Sequence, residues 1–116
     1  MAEHGEWNRK GATLSDVSAL TEYGVERDFI IQGIEAGKLE YRDGSIWGNP
    51  YLRILRAQLE KYIIDELGMD YLNKVKAQFE IKTIKKQITE TKKKLNLLEI
   101  RKKELDIILT KGISNQ

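Results

Sequence analysis

The chain has 116 residues, 20 Lys and Arg against 18 Asp and Glu, a formal net charge of +2 and no cysteine. That length holds one compact domain of about 65 residues plus an appendage, and the absence of thiols excludes disulfide frameworks and thiolate metal sites. No apolar run approaches the roughly 18 residues needed to span a bilayer, and the opening MAEHGEWNRKG has no apolar core of a signal peptide or anchor; the expectation is a soluble, cytoplasmic protein.

The small net charge conceals a division. Residues 1–67 carry 8 Lys and Arg against 12 Asp and Glu, whereas residues 68–116 carry 12 against 6. An acidic head on a basic arm weighs against nucleic-acid binding by the head, because phosphate neutralisation supplies much of that binding energy.

In chain order, residues 1–12 are polar and glycine-containing and read as a flexible tail, from which Trp7 is expected to pack back onto the domain. Ser15 is a good N-cap, with Asp16 in the first turn to complement the helix dipole. Val17, Ala19 and Leu20 predict one buried face running to Tyr23. Gly24 stands where a helix C-terminus favours a left-handed residue, and Val25 points inward at the turn. A second helix is predicted from about Arg27 to Ala36, with Ile30, Gly33 and Ile34 on its inner face. Glycine inside a helix costs about 1 kcal/mol relative to alanine, so Gly33 implies a close approach by a neighbour. Gly37 ends this helix as Gly24 ends the first, and Leu39 returns to the core.

Leu39–Arg42 reads as a short strand, Asp43-Gly44 as a turn signal and Tyr51–Ile54 as the returning strand, with Pro50 barring a regular ladder just before it. A third helix is expected from about Leu55 to Leu67, its stripe formed by Leu59, Tyr62, Ile63 and Leu67, and Gly68 ends it. Asp70 can cap a further helix, since no Gly or Pro occurs from Tyr71 to Lys111. Forty helical residues extend roughly 60 Å, more than a small head can cover.

The apolar repeat says what covers them. Ile81, Ile84, Ile88, Thr91, Leu95, Leu98, Lys102, Leu105 and Leu109 follow an alternating spacing of 3 and 4, the seam of a coiled coil. Thr91 and Lys102 interrupt it and are expected to set register or oligomeric state. Leu72, Val75 and Phe79 keep the same spacing in a shifted frame, which predicts a stutter or bend near residues 79–81. Leu97, Ile100, Ile107 and Ile108 lie off the seam and suggest a second neighbour. The lysine clusters at 85–86, 92–94 and 101–103 read as a solvated face, with a phosphate-tracking stripe as the sharper alternative.

Over about residues 13–64 the chain resembles the winged helix-turn-helix of the excisionase and MerR-type families. The resemblance rests on Gly24-Val25 at the turn, on Ile30, Gly33-Ile34 and the exit Ala36-Gly37-Lys38-Leu39, and on Arg53-Ile54-Leu55-Arg56 leading into Leu59-Glu60-Lys61-Tyr62-Ile63. It implies a mainly α fold, with a winged helix-turn-helix head (13–67) carrying a small β-hairpin, a long dimerising helix (70–111) and a C-terminal tail (112–116). It further implies that the second helix enters the major groove of double-stranded DNA while the wing meets backbone or minor groove. A head followed by a long helix looks most like MerR-type regulators, whose long helices pair antiparallel; phage terminase small subunits also carry such a head on a helical arm. Carried over residue by residue, Arg27, Asp28, Ile31 and Gln32 occupy the outer face of the recognition helix, where Arg27 reaches guanine or phosphate and Gln32 pairs with adenine. Arg42, Ser45 and Trp47 form the wing, and Arg53 and Arg56 lie beside it near phosphates.

Glu26, Asp28 and Glu35 depart from that pattern by placing carboxylates on a surface meant to meet phosphate. They support the rival expectation, a non-enzymatic adaptor whose head grips a protein partner. Phe29 and Ile31 form an apolar patch if exposed. The only histidine, His4, lies in the tail, and no nucleophile–base set, phosphate-binding glycine loop or metal-ligand cluster is present in the sequence. The expected function is therefore DNA binding, as a transcriptional regulator or phage-type excision or packaging accessory, by a coiled-coil homodimer without enzymatic activity, cofactor or small-molecule effector.

Overall fold

The computed structural model describes residues 4–114. They fall into two compact units that meet in sequence between Phe79 and Glu80, where the apolar repeat changes frame. The elements are a short 3-10 helix (His4–Asn8), β1 (Thr13–Ser15), α1 (Asp16–Tyr23), α2 (Arg27–Glu35), β2 (Tyr41–Ile46), β3 (Asn49–Leu55), α3 (Arg56–Leu67) and α4 (Met69–Ser114). The strands make one antiparallel sheet in the order β1-β3-β2. The protein is thus mainly helical, with a small three-stranded sheet and a long C-terminal helix. No helix is long and apolar enough to cross a membrane among the described residues.

Helix α1 starts as its sequence requires, with Ser15 Oγ accepting the Ser18 N–H at 3.0 Å. Its buried face is not the expected one. Val17 and Leu20 are 66% and 51% exposed, and the inward residues are Asp16, Ala19 and Tyr23. The cause is polar: Asp16 Oδ1 accepts the Leu52 N–H at 3.1 Å, taking over from β1 as the partner of β3 just past Ser15. That bond fixes the rotation of the helix about its axis, and a count of apolar residues does not register it.

Residues 24–26 link α1 to α2. Helix α2 ends in a Schellman motif, in which Gly37 N–H reaches the Ile34 carbonyl at 3.0 Å and Lys38 N–H the Gly33 carbonyl at 2.9 Å. A Cβ on Gly33 would stand 2.6 Å from Leu39 Cδ1 and 2.8 Å from Tyr62 Cε2, so α3 and the chain leaving α2 do approach the helix here. Phe29 packs on Tyr62 with ring centroids 4.7 Å apart, which places it between helices rather than in an exposed patch.

The hairpin departs from expectation. Asp43 and Gly44 lie inside β2, and the reversal is at Trp47-Gly48, with Ile46 opposite Asn49. Both central residues have positive φ, 54° and 82°, as a type I′ turn requires. Gly44 faces Tyr51 across the ladder, and a Cβ there would meet the Tyr51 ring at 2.5 Å; the glycine serves the cross-strand aromatic rather than a turn. Pro50 sits in the ladder opposite Ser45. Strand parity turns its nitrogen to the side on which Leu52 meets Asp16, beyond the end of β1, where no donor is needed.

Residues 5–12 are docked rather than a loose tail, and the first three residues of the expected tail lie outside the described residues. Trp7 is 4% exposed, Ala12 is buried, and the Ala12 carbonyl accepts the Arg56 N–H at 2.8 Å. Trp7 lies beside Arg42 and Arg53, which face each other across β2 and β3; their guanidinium carbons are 4.5 and 5.9 Å from its ring centroid. Two like charges directly opposite would repel, and the ring's negative face offsets that repulsion.

Leu59, Tyr62 and Ile63 of α3 are buried as expected, whereas Leu67 is exposed. Helix α4 begins at Met69, with Asp70 in its first turn rather than capping it, and runs past Lys111 to Ser114. Its Leu72 joins Leu14, Ala19, Tyr23, Val25, Ile30, Leu39 and Ile54 in the core of the N-terminal unit. From Glu80 through Gly112 every side-chain position is exposed.

Candidate nucleic-acid interface

Arg27, Asp28 and Gln32 are exposed on the outer face of α2, joined by Glu35, whereas Ile31 is half-buried. Ile31 and Arg27 line a cleft of about 330 Å3 that reaches Tyr41 and Asp43 on β2. Helix and hairpin therefore share one surface. Arg27 Nη1 is 3.7 Å from Asp16 Oδ2 while its side chain is 57% exposed, leaving most of its donors facing solvent. Only the arginine of this pair is exposed; the Asp16 carboxylate is buried and keeps the Leu52 N–H as a partner when the guanidinium swings away.

The hairpin arginines are placed differently. Arg42 is half-buried against Trp7. Arg53 donates from Nε to Thr13 Oγ1 at 3.1 Å and from Nη2 to the Trp7 carbonyl at 2.5 Å. Arg56 donates from Nε to the Gly11 carbonyl at 3.0 Å and from Nη1 to Glu22 Oε1 at 3.0 Å and the Tyr23 hydroxyl at 2.8 Å. Arg53 and Arg56 thus tie the N-terminal segment and α1 to the sheet and α3. Ser45 is exposed near the hairpin tip.

At the tip itself Trp47 is 96% exposed with φ of 54°. A left-handed conformation costs a side-chain-bearing residue about 1–2 kcal/mol, and here no burial offsets it. The side chain gains no packing in return. Trp47→Asn would give the Asn-Gly pair that type I′ turns favour. It is expected to stabilise the fold by about 1 kcal/mol, which thermal unfolding would register.

A polar chain beside α1 carried no sequence signal, because its three parts, on α1, α3 and α4, lie far apart along the chain. Arg56 bridges Glu22 and Tyr23, the Tyr23 hydroxyl donates to Glu60 Oε2 at 2.5 Å, and Lys76 Nζ is 3.4 Å from Glu60 Oε1. These side chains and Phe79 line a cleft of about 200 Å3. Burial, then the hydrogen bond to Glu60, pushes the Tyr23 phenol up to about 12 against the pull of Arg56. Unfolded chains lose this proton near pH 10, so the native state binds more protons between about pH 10 and 12 and stability falls as pH rises through that window. The contribution is complete below pH 10. Tyr23→Phe is expected to flatten this alkaline loss, measured as urea midpoints at about pH 9 and pH 11.

Among the described residues no group of His, Asp and Glu side chains is placed to hold a metal ion, and no buried side-chain nitrogen or oxygen lacks a hydrogen-bond partner. The polar chain is closed on itself and reads as structural. No protein-family model matches this chain, and no curated protein or solved structure matches it either; the surface of α2 and the hairpin is therefore read from its own geometry.

Proposed function

We propose that the protein binds double-stranded DNA through α2 and the β2–β3 hairpin, as a winged helix-turn-helix of the excisionase and MerR-like kind, and that α4 pairs two copies. The observation that carries this reading is the outer face of α2, where Arg27 and Gln32 stand exposed beside a hairpin ending in a bare tryptophan. Arg27 offers a bidentate fork for guanine or phosphate, and Gln32 the paired donor and acceptor that match adenine. Residues near the start of a recognition helix are those that reach base edges. Trp47 at the hairpin tip suits the sugar edge or an unstacked step of the minor groove. Dimerisation supplies the avidity that a weakly basic head needs, and a two-fold pair reads an inverted repeat.

A second reading is favoured by one observation. Arg53 and Arg56 are engaged inside the protein, while Asp28 and Glu35 stay exposed on α2. That balance suits an adaptor whose head holds a basic protein segment. Fluorescence anisotropy of the full chain against random duplex separates the two. DNA binding predicts association at low salt that weakens by about tenfold or more between 50 and 200 mM salt; no association at 50 mM would leave the adaptor.

A further inference from the structure

From Ile81 to Leu109 the apolar seam of α4 is exposed along its length, and the charges flanking it carry information about what covers it. With Ile81 at position a and Ile84 at d of the heptad, the flanking e positions are Lys85, Lys92, Glu99 and Asp106, and the g positions are Glu80, Gln87, Lys94 and Arg101, followed by the apolar Ile108. In a parallel, in-register pair each g residue faces the e residue five positions further along the partner, and these contacts set partner choice and orientation. Here they are Glu80 with Lys85, Gln87 with Lys92, Lys94 with Glu99 and Arg101 with Asp106: three attractive, one neutral and none repulsive, each formed twice by symmetry.

Antiparallel pairing brings g against g and e against e instead. Setting Leu95 opposite Leu98 places Lys94 against Arg101 while pairing Lys92 with Glu99 and Lys85 with Asp106, two attractive contacts against one repulsive. Setting Thr91 opposite Leu95 places Lys94 against Lys94 and Lys92 against Lys92, with Lys85 against Glu99 as the attractive contact, so each of these registers carries a repulsion that the parallel one avoids. Like charges across such a seam are destabilising. Lys102 is the one charged seam residue; its Nζ is 2.9 Å from Asp106 Oδ2 on its own helix, so its head group reaches outward along the flank, as a lysine at a single a position must.

We infer that the occupant of the α4 seam is a second copy of this chain, lying parallel and in register. The inference deepens the self-association in the function proposed above and departs from the antiparallel pairing that a MerR-like resemblance implies. Because residues 1–79 precede the coil in sequence, parallel pairing joins both N-terminal units to the same end of it.

The chain has no cysteine, so Ile84→Cys introduces a single thiol at a d position. The full-length variant is expected to be a dimer by light scattering and, on oxidation, to link its two copies through a disulfide at position 84 in most of its molecules. In either antiparallel register the two thiols lie tens of ångströms apart on the 1.5 Å rise, far beyond disulfide reach. A dimer that stays uncrosslinked overturns the orientation alone; a monomer overturns the self-association as well. A charge swap supplies a second readout that needs no thiol. Lys94→Glu and Glu99→Lys should each loosen the dimer about tenfold, and an equimolar mixture should recover most of the loss by forming the mixed pair. Mixing that brings no recovery contradicts the parallel arrangement, since residues 94 and 99 face each other only there.

Discussion

Trp7→Ala is expected to destabilise the N-terminal unit by about 3–5 kcal/mol, the usual cost of removing a buried aromatic. The indole is almost fully buried, and its loss also uncovers Arg42 and Arg53, which face each other across the hairpin. Arg53 additionally donates to the Trp7 carbonyl, so loosening the segment leaves a half-buried guanidinium short of a partner. Native stabilities of roughly 0.05–0.15 kcal/mol per residue give a unit of this size about 4–12 kcal/mol, so the loss is a large share of the total and should lower the unfolding temperature by roughly 12–40 °C. Scanning calorimetry of the full chain checks this. Trp7→Phe, which keeps an aromatic face over the arginines, should lose clearly less. Equal losses for the two would show that the ring's contact with the arginines contributes nothing.

Gly33→Val is the second large effect. The first carbon of any side chain at this position meets Leu39 and the Tyr62 ring at under 3 Å, and both neighbours are buried. Tyr62 is held from the other side by Phe29, so the ring has little room to retreat. Overpacking of this kind costs about 3 kcal/mol, well above the fraction of a kcal/mol that leaving glycine returns in helix propensity. Gly33→Ala should fall between the two, since its helix gain of about 1 kcal/mol offsets part of the clash. Denaturant midpoints across the glycine, alanine and valine series would reveal the order; a stabilised alanine variant would mean that Leu39 can move aside.

Features set by local chemistry were legible in the sequence. Ser15 caps α1, Gly24 and Gly37 take left-handed conformations at helix ends, Gly33 marks a close approach, and Trp7 packs back. Ile30, Leu39, Leu59, Tyr62 and Ile63 form core. What the sequence hid was decided across the chain. The Asp43-Gly44 turn signal lost to a register that stacks Tyr51 on Gly44 and carries the reversal to Trp47-Gly48. The buried face of α1 was set by the bond from Leu52 to Asp16. Arg53 and Arg56 read as surface charge until Thr13, Trp7, Gly11 and Glu22, each more than thirty residues away, were seen to accept their protons. The outer face of α2 was legible in part: Arg27, Asp28 and Gln32 are exposed and the mixed charge is plain from composition, but Ile31, read as outward, is half-buried in the cleft beside β2.

That mixed face bears the functional account, and an anisotropy titration comparing the wild-type chain with an Arg27→Ala, Gln32→Ala double variant addresses it most directly. The duplex would be one enriched by the wild-type protein from a random pool, with a scrambled duplex alongside. Loss of two base contacts at about 1–3 kcal/mol each predicts a drop of at least about tenfold on the enriched site, with little change on the scrambled one. Both alanines lie on an exposed helix face, so the fold should persist. Equal affinity of the two proteins for the enriched duplex, with the variant still folded, would contradict the assignment of α2 as the element that reads DNA.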